Sequence, residues 1–378
     1  MIPITDTRRN KTCRVGISEK NLIQKDIQDM LKPLNLMQMI LLCPKYRITN
    51  NVITSNTMSS AFLYRSLIFC SNLVIREYLN FYFILSVYNV CFYCIGFSLN
   101  CFISIFQVKN HINFVLTFQE IHKILNDKKE FKILTVGNWI NVMWIFISYS
   151  LIGCMFILFY LFFSGYSLFT TLFLICFDAN IVYATRCIKL LKQKVDLWNK
   201  EVLSPNILLR DIDHESYCQK MYQAYSDILC CYDLYKTTFK YLVLSYLIEF
   251  FSHALINIKV LIQLFKLASI YTEFAISIAI TSVCVWLTKT FIIQTVLYCD
   301  CEKFYLALKK SQDSCALVIS QNCSDEEKKL CKNIRRLYQT SFKKITACGL
   351  ICIDGLLPLS LASLLTKYTI VLLQFAFQ

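Results

Sequence analysis

Glycine and proline are scarce in this chain, with seven and five in 378 residues. So few glycines leave no Gly-rich loop able to cradle a phosphate. The four histidines, His111, His122, His214 and His253, are scattered and complete no metalloprotease or deaminase motif. No enzyme, metal or cofactor is expected. Charged residues make up 17% of the chain and hydrophobic ones 56%. A soluble domain carries about a quarter charged residues, so the composition predicts a multispan membrane protein. The opening MIPITDTRRNKTCRVG is polar and basic, with no apolar core behind it, which predicts no cleavable signal peptide.

The charge that is present is mostly basic, for a net +14. In a soluble protein that would suggest nucleic acid, but here position is the better guide and no nucleic-acid partner is expected. Lys and Arg number nine in residues 1–58, five in 107–137, nine in 186–240 and ten in 298–346. Between these segments lie apolar runs of spanning length. They predict an all-α membrane protein with seven transmembrane helices at 60–79, 81–106, 139–163, 166–184, 239–265, 274–297 and 350–376. By the positive-inside rule the N-terminus is cytoplasmic and the C-terminus extracellular, the reverse of a G-protein-coupled receptor. Both sequons, at Asn10 and Asn322, then fall on the cytoplasmic side and should carry no glycan.

Residues 1–58 read as a cytoplasmic N-terminal segment and 59–378 as the seven-span domain. Within the first, Leu34 to Cys43 is a short apolar patch closed by Pro44, read as an interfacial helix. Segments 186–240 and 298–346 read as cytosolic helical extensions. Ser324-Asp-Glu-Glu327 has capping-box form, followed by a face of Leu330, Ile334, Leu337, Ser341 and Ile345. Met221, Ile228, Leu229, Tyr232 and Tyr235 make a second face, on a helix able to run into the fifth span. Either these stripes pack within one subunit or they form an assembly surface.

The twenty cysteines fall in apolar spans or basic loops, which fits reduced thiols better than a disulfide scaffold. Cys91-x-x-Cys94 and Cys299-x-Cys301 lack the second pair that a zinc site needs. Asp178 and Glu249 are acids within spans, functional candidates by default and equally able to serve as paired structural groups. The outer halves of spans two to six are rich in aromatics. Tyr88, Tyr160, Phe173 and Trp286, with Asn257 to orient a ligand, are candidate lining of a small-molecule pocket. The alternative is lipid-facing or packed rings.

The last stretch carries the most specific signal. Thr346 to Gln378 has only two formal charges, Asp354 and Lys367. Gly349, Gly355 and Pro358 weaken a helix near its start, whereas Ala362 to Phe377 should be one continuous rod. Gln374 at lipid depth needs a partner or water and so points inward; the alternative is an interfacial anchor with Tyr368. Ala347-Cys348-Gly349-Leu350, Ile353-Asp354, Leu356-Leu357 and Thr366-Lys367-Tyr368 followed by Gln374-Phe375 resemble the C-terminal signature of the insect gustatory receptors. That signature reads Thr-Tyr, five apolar residues, Gln-Phe. One departure is that Lys367 stands where the family has the Thr.

The resemblance implies a ligand-gated, non-selective cation channel that detects small-molecule tastants and mediates acceptance or avoidance. It further implies a homo- or heterotetramer held by a cytosolic helical anchor, in contact with membrane lipid in the plasma membrane of a sensory-neuron dendrite. An odorant receptor of the same superfamily is the near alternative. A multispan transporter is the distant one, since no internal repeat is visible. The implied pore and gate residues are Lys367, Tyr368, Leu372, Gln374 and Phe375. Lys367 and Gln374 are seven residues apart, hence about 20° apart around a helix and roughly 10 Å in height. They share a face. An ammonium near the bilayer centre costs on the order of 3 kcal/mol unless it reaches water or a partner. A water-filled conduit is one answer; snorkelling or pairing with an acid is the other.

Overall fold

The computed structural model describes residues 21–41, 44–55, 95–96, 98–99, 102–126, 128–163, 167–203, 214–266, 273–320 and 324–377. The first predicted span and most of the second lie outside the described residues, as do the sequon asparagines Asn10 and Asn322.

The described chain is a set of helices with two small hairpins. Helix α1 runs Lys25–Ile40. Ile27, Met30, Leu34 and Met37 recur at three- and four-residue spacing, and each is fully buried. Its core face packs on two long helices, Lys128–Phe163 and Ser167–Leu203. This corrects the interfacial reading of Leu34 to Cys43. The helix begins nine residues earlier than the apolar patch, continues through Pro33, and buries its apolar side in protein. Strands β1 (Arg47–Thr49) and β2 (Val52–Thr54) follow as an antiparallel hairpin. Its two-residue turn, Asn50-Asn51, has φ of 51° and 65°, and asparagine tolerates this left-handed conformation better than most residues. The Ile23 N–H donates to the Asn51 carbonyl at 2.7 Å and the Ile53 N–H to the Asn21 carbonyl at 2.9 Å, so the hairpin clamps the start of α1.

Then come α2 (Val108–Ile124), α3 (Lys128–Phe163), α4 (Ser167–Leu203), α5 (His214–Lys266) and α6 (Glu273–Ser320). The fifth is 53 residues long, about 80 Å at 1.5 Å per residue and far longer than a hydrocarbon core of about 30 Å. Its apolar run and its polar extension are one rod, as the sequence predicted. Helix α7 (Asp325–Ser341) starts with the predicted capping box, in which the Glu327 N–H donates to Ser324 and the Ser324 N–H donates back to the Glu327 carboxylate at 2.9 Å. A second small hairpin, β3 (Thr346–Ala347) and β4 (Ile351–Cys352), precedes α8 (Leu357–Phe377). The last helix therefore starts at 357, not 350, because the chain first turns back on itself through Cys348 and Gly349, with φ of 52° and 77°.

Burial divides the molecule into two zones. In the extensions α4 lies along α6 and α2 along α5, with Trp198, Tyr225, Ile228, Tyr232 and Phe304 fully buried. Trp198 Nε1 donates to the Met221 carbonyl at 2.9 Å, so even this indole is satisfied. Of the predicted stripes, Met221, Ile228, Leu229, Tyr232, Tyr235, Leu330, Ile334 and Ile345 are buried within the chain, whereas Leu337 and Ser341 are half-buried. The apolar runs behave oppositely. Four helices among the described residues are long and apolar enough to cross a membrane, within 131–154, 215–263, 276–320 and 357–376. In the last of these only 6% of the apolar window is buried. Side chains such as Trp144, Leu151, Phe274 and Leu359 stand outward, a surface suited to lipid and not to water.

Candidate functional site

Two places combine polar groups with apolar surroundings. The first is the terminal helix. Tyr305 anchors its approach: its hydroxyl donates to the Ile353 carbonyl at 3.1 Å and accepts from the Ile345 N–H at 3.2 Å. The Leu356 N–H donates to Asp354 Oδ1 at 3.1 Å just ahead of the helix. Pro358 sits at the second helical position, where its missing N–H has no intrahelical bond to lose.

Beyond that point α8 touches the body along a narrow strip, against α5 and α6. Leu361 is buried and Leu365, Thr369, Leu372 and Ala376 are half-buried, while Lys367, Gln374 and Phe375 are exposed. At 100° per residue, Leu365, Thr369, Leu372 and Ala376 fall within about 60° of one another, and Lys367 and Gln374 lie about 180° to 200° from Leu365. Lys367 and Gln374 thus share the face pointing away from the subunit's own core. Among the described residues Lys367 has no acid within ion-pair distance. The other gate candidates divide: Phe375 is 77% exposed, Leu372 turns toward the packed strip, and Tyr368 sets its ring edge-on to Phe251 at 5.6 Å.

The second place is a charge cluster inside the helix bundle. Asp178 on α4 has a side chain only 3% exposed, yet it is fully solvated by protein. Tyr149 on α3 donates its hydroxyl to Oδ2 at 2.5 Å, Tyr246 on α5 donates to Oδ1, and Lys289 on α6 donates to Oδ2 at 2.5 Å. Lys289 also donates to the Tyr149 hydroxyl at 2.9 Å. One carboxylate therefore ties four helices together, with its charge balanced in place. Glu249, three residues after Tyr246, is buried with Oε2 lacking a hydrogen-bond partner. His253, one turn further, meets the ring of Trp286 edge-on at 6.0 Å. Asn257 follows on the same helix, half-buried.

Of the predicted pocket residues, Trp286 and Asn257 thus flank one polar stripe of α5. Tyr88 lies outside the described residues, and Tyr160 and Phe173 lie on α3 and α4 at positions whose side chains are outside them. Sequence reading singled out Asp178 and Glu249 but missed Lys289. The signal was present, since Lys289 is a lone cation inside an apolar run, where such a residue needs an acid close by.

Outside the bundle, His122 on α2 lies beside Lys194, whose ammonium donates to Nδ1 at 2.9 Å and to the Leu125 carbonyl at 2.6 Å. Burial, and then the Lys194 charge, hold the His122 pKa down at about 4. Among the described residues no group of three or more His, Cys, Asp or Glu is placed to hold a metal. Cys299 and Cys301 are free thiols. Cys230 departs from the expectation of reduced thiols: it is disulfide-bonded.

No family model matches the chain, and no curated protein matches it. Among solved structures it is similar to the insect olfactory receptor OR5 from Machilis hrabei in complex with eugenol. The likeness has a TM-score of 0.51 at 12% identity, and covers 92% of this chain and 98% of that one. At that identity the likeness is one of architecture, and it extends over almost the whole length of both chains. The chain has the fold of an insect olfactory receptor.

Proposed function

We propose that this protein is a chemoreceptor of the insect superfamily, acting as a ligand-gated, non-selective cation channel in the plasma membrane of a sensory neuron. It spans the bilayer seven times, N-terminus inside, and assembles as a homo- or heterotetramer around the terminal helices. The observation that carries the reading is the outward face of α8. Lys367 and Gln374 stand together on an apolar helix, on the side opposite its own core, and such polar groups at lipid depth need water. A conduit shared by several copies supplies it.

The geometry suggests how a ligand would act. Helix α8 rests on α5 and α6 through one narrow strip, and those two helices carry Asn257 and Trp286. A small molecule seated there favours the arrangement it binds better, and moves the gate only by that difference in affinity. The C-terminal signature, Tyr368 with Gln374-Phe375, favours the gustatory branch, so the ligand class is a tastant. The olfactory neighbour, described with eugenol, favours the odorant branch as the second reading. Two-electrode voltage clamp of expressing oocytes, with a panel of sugars, bitter compounds and volatile phenols, separates them. Inward cation current to tastants supports the first reading and current to volatiles alone the second. Surface-labelled protein that passes no current to any of these, alone or with co-expressed relatives, rejects both.

A further inference from the structure

The outward face of α8 carries charge of one sign only. With Lys367 at zero and about 100° per residue, Ser360 stands at about +20°, Ser363 at about −40° and Gln374 at about −20°. All four side chains are exposed. They make a polar stripe about 21 Å tall, against a hydrocarbon core of about 30 Å. Helix α8 has no acid anywhere along it. Among the described residues no acid pairs with Lys367 from another element either.

Height decides what this lysine can reach. Helix α8 has 21 residues, Leu357–Phe377, and Lys367 is the central one, so each end is about 15 Å away along the axis. A lysine near a helix end lifts its ammonium into the interface on its flexible four-carbon stem. From the middle, that stem falls short of both interfaces. Snorkelling and an acid partner are thus both missing among the described residues, and a charge at this depth is left with water and the ions that water carries. Neutral donors flank it on the same face, Ser363 one turn before and Gln374 two turns after. The Ser360 hydroxyl is already engaged, donating to the Leu356 carbonyl at 3.3 Å.

Rings of lysine or arginine serve anions in pores, as rings of acids serve cations. We propose that, where copies of α8 surround a common path, their Lys367 side chains form an anion site in it, and that the site takes a small inorganic anion of the chloride kind. The proposal rests on the channel reading and adds an ion of opposite sign to it. A bound anion offsets the repulsion among the ammonium groups, and the repulsion they exert on a passing cation.

The test places a thiol one turn from Lys367 on the same exposed face, Ser363→Cys, in the full-length protein in isolated membranes. Two methanethiosulfonate reagents, an anionic ethylsulfonate and a cationic ethyltrimethylammonium, are applied to both sides. Mass spectrometry of the peptide that carries the new thiol gives each rate, which is divided by that reagent's rate with free cysteine. The sulfonate should be favoured by about fivefold or more, and Lys367→Thr in the same background should abolish the preference. Chloride in place of gluconate at matched ionic strength should slow the sulfonate by about twofold or more, and should leave its rate unchanged in the Lys367→Thr background. Both positions are exposed, so the variants should keep the wild-type thermal midpoint. If neither reagent reacts, the face meets no water, and the shared conduit falls together with the anion site. Reaction with no preference, with preference for the cation, or at a rate indifferent to chloride would leave the conduit standing and overturn the anion site alone.

Discussion

Replacing Lys289 with methionine should destabilise the helix bundle sharply, and replacing Asp178 at the same time should restore much of the loss. Among the described residues the lysine side chain is the only cation bonded to Asp178, and the pair is buried among four helices. Removing it leaves a carboxylate of 3% exposure held only by the hydroxyls of Tyr149 and Tyr246. Breaking a buried pair from one side costs about 3–5 kcal/mol, because the remaining charge stays desolvated. Unfolding entropy of about 2.1 cal/mol/K per residue, over 378 residues, amounts to about 0.8 kcal/mol/K. The midpoint should then fall by about 4–6 °C. The assay is fluorescence-detected size exclusion after heating at a fixed rate, on wild type, Lys289→Met, Asp178→Asn and the double variant. With both changes no bare charge is left, and the carboxamide that replaces the carboxylate can accept from one tyrosine hydroxyl through its oxygen and donate to the other through its nitrogen, so at least half the loss should return. A single Lys289→Met variant melting within 1 °C of wild type would refute the reasoning. So would a double variant whose loss equals the sum of the two singles.

Further predictions concern other regions. Under the channel reading, Lys367→Thr should raise cation conductance, because copies of an ammonium on the shared face repel permeant cations; patch recordings with unchanged unitary current would retire that role. Ile27→Ala should cost about 2–5 kcal/mol, since Ile27 is fully buried, whereas an interfacial helix would lose almost nothing on the same melt. His122 is held at about 4, below its ordinary 6.5, so the unfolded chain takes up the proton first as pH falls. Its contribution to stability is whole above about 6.5 and is lost as pH drops toward 4. His122→Gln should therefore flatten the fall in melting temperature across that window. Under the predicted topology, an epitope tag at the N-terminus should stain only permeabilised cells, and staining of intact cells would reverse the orientation.

Helix was legible wherever it depends on neighbours along the chain. The Ser324 capping box, the stripe from Met221 to Tyr235 and the continuous rod after Ala362 all rest on spacings of three to seven residues, and the structure has them where the spacing put them. The boundary at 357 was missed because Cys348 and Gly349 adopt positive φ, and the two-residue strands around them are too short to leave a pattern. Helix α1 was placed at an interface because its apolar patch is shorter than a span. A short apolar face is equally suited to protein, and only its partners decide between the two.

What this sequence determined by itself is the helical, apolar nature of the chain, the clustering of its positive charge between apolar runs, and the single polar face of its last helix. Those follow from composition and period, which are local. What tertiary structure alone decided is which groups meet. Lys289 reaches Asp178 across 111 positions, and Asn138 donates to the Met30 carbonyl across 108. The amide oxygens of Gln193 and Asn199 are left without donors by the way α3, α4 and α6 pack. A buried charge or a missing hydrogen bond is a property of two segments brought together, so it has no signature in either one alone.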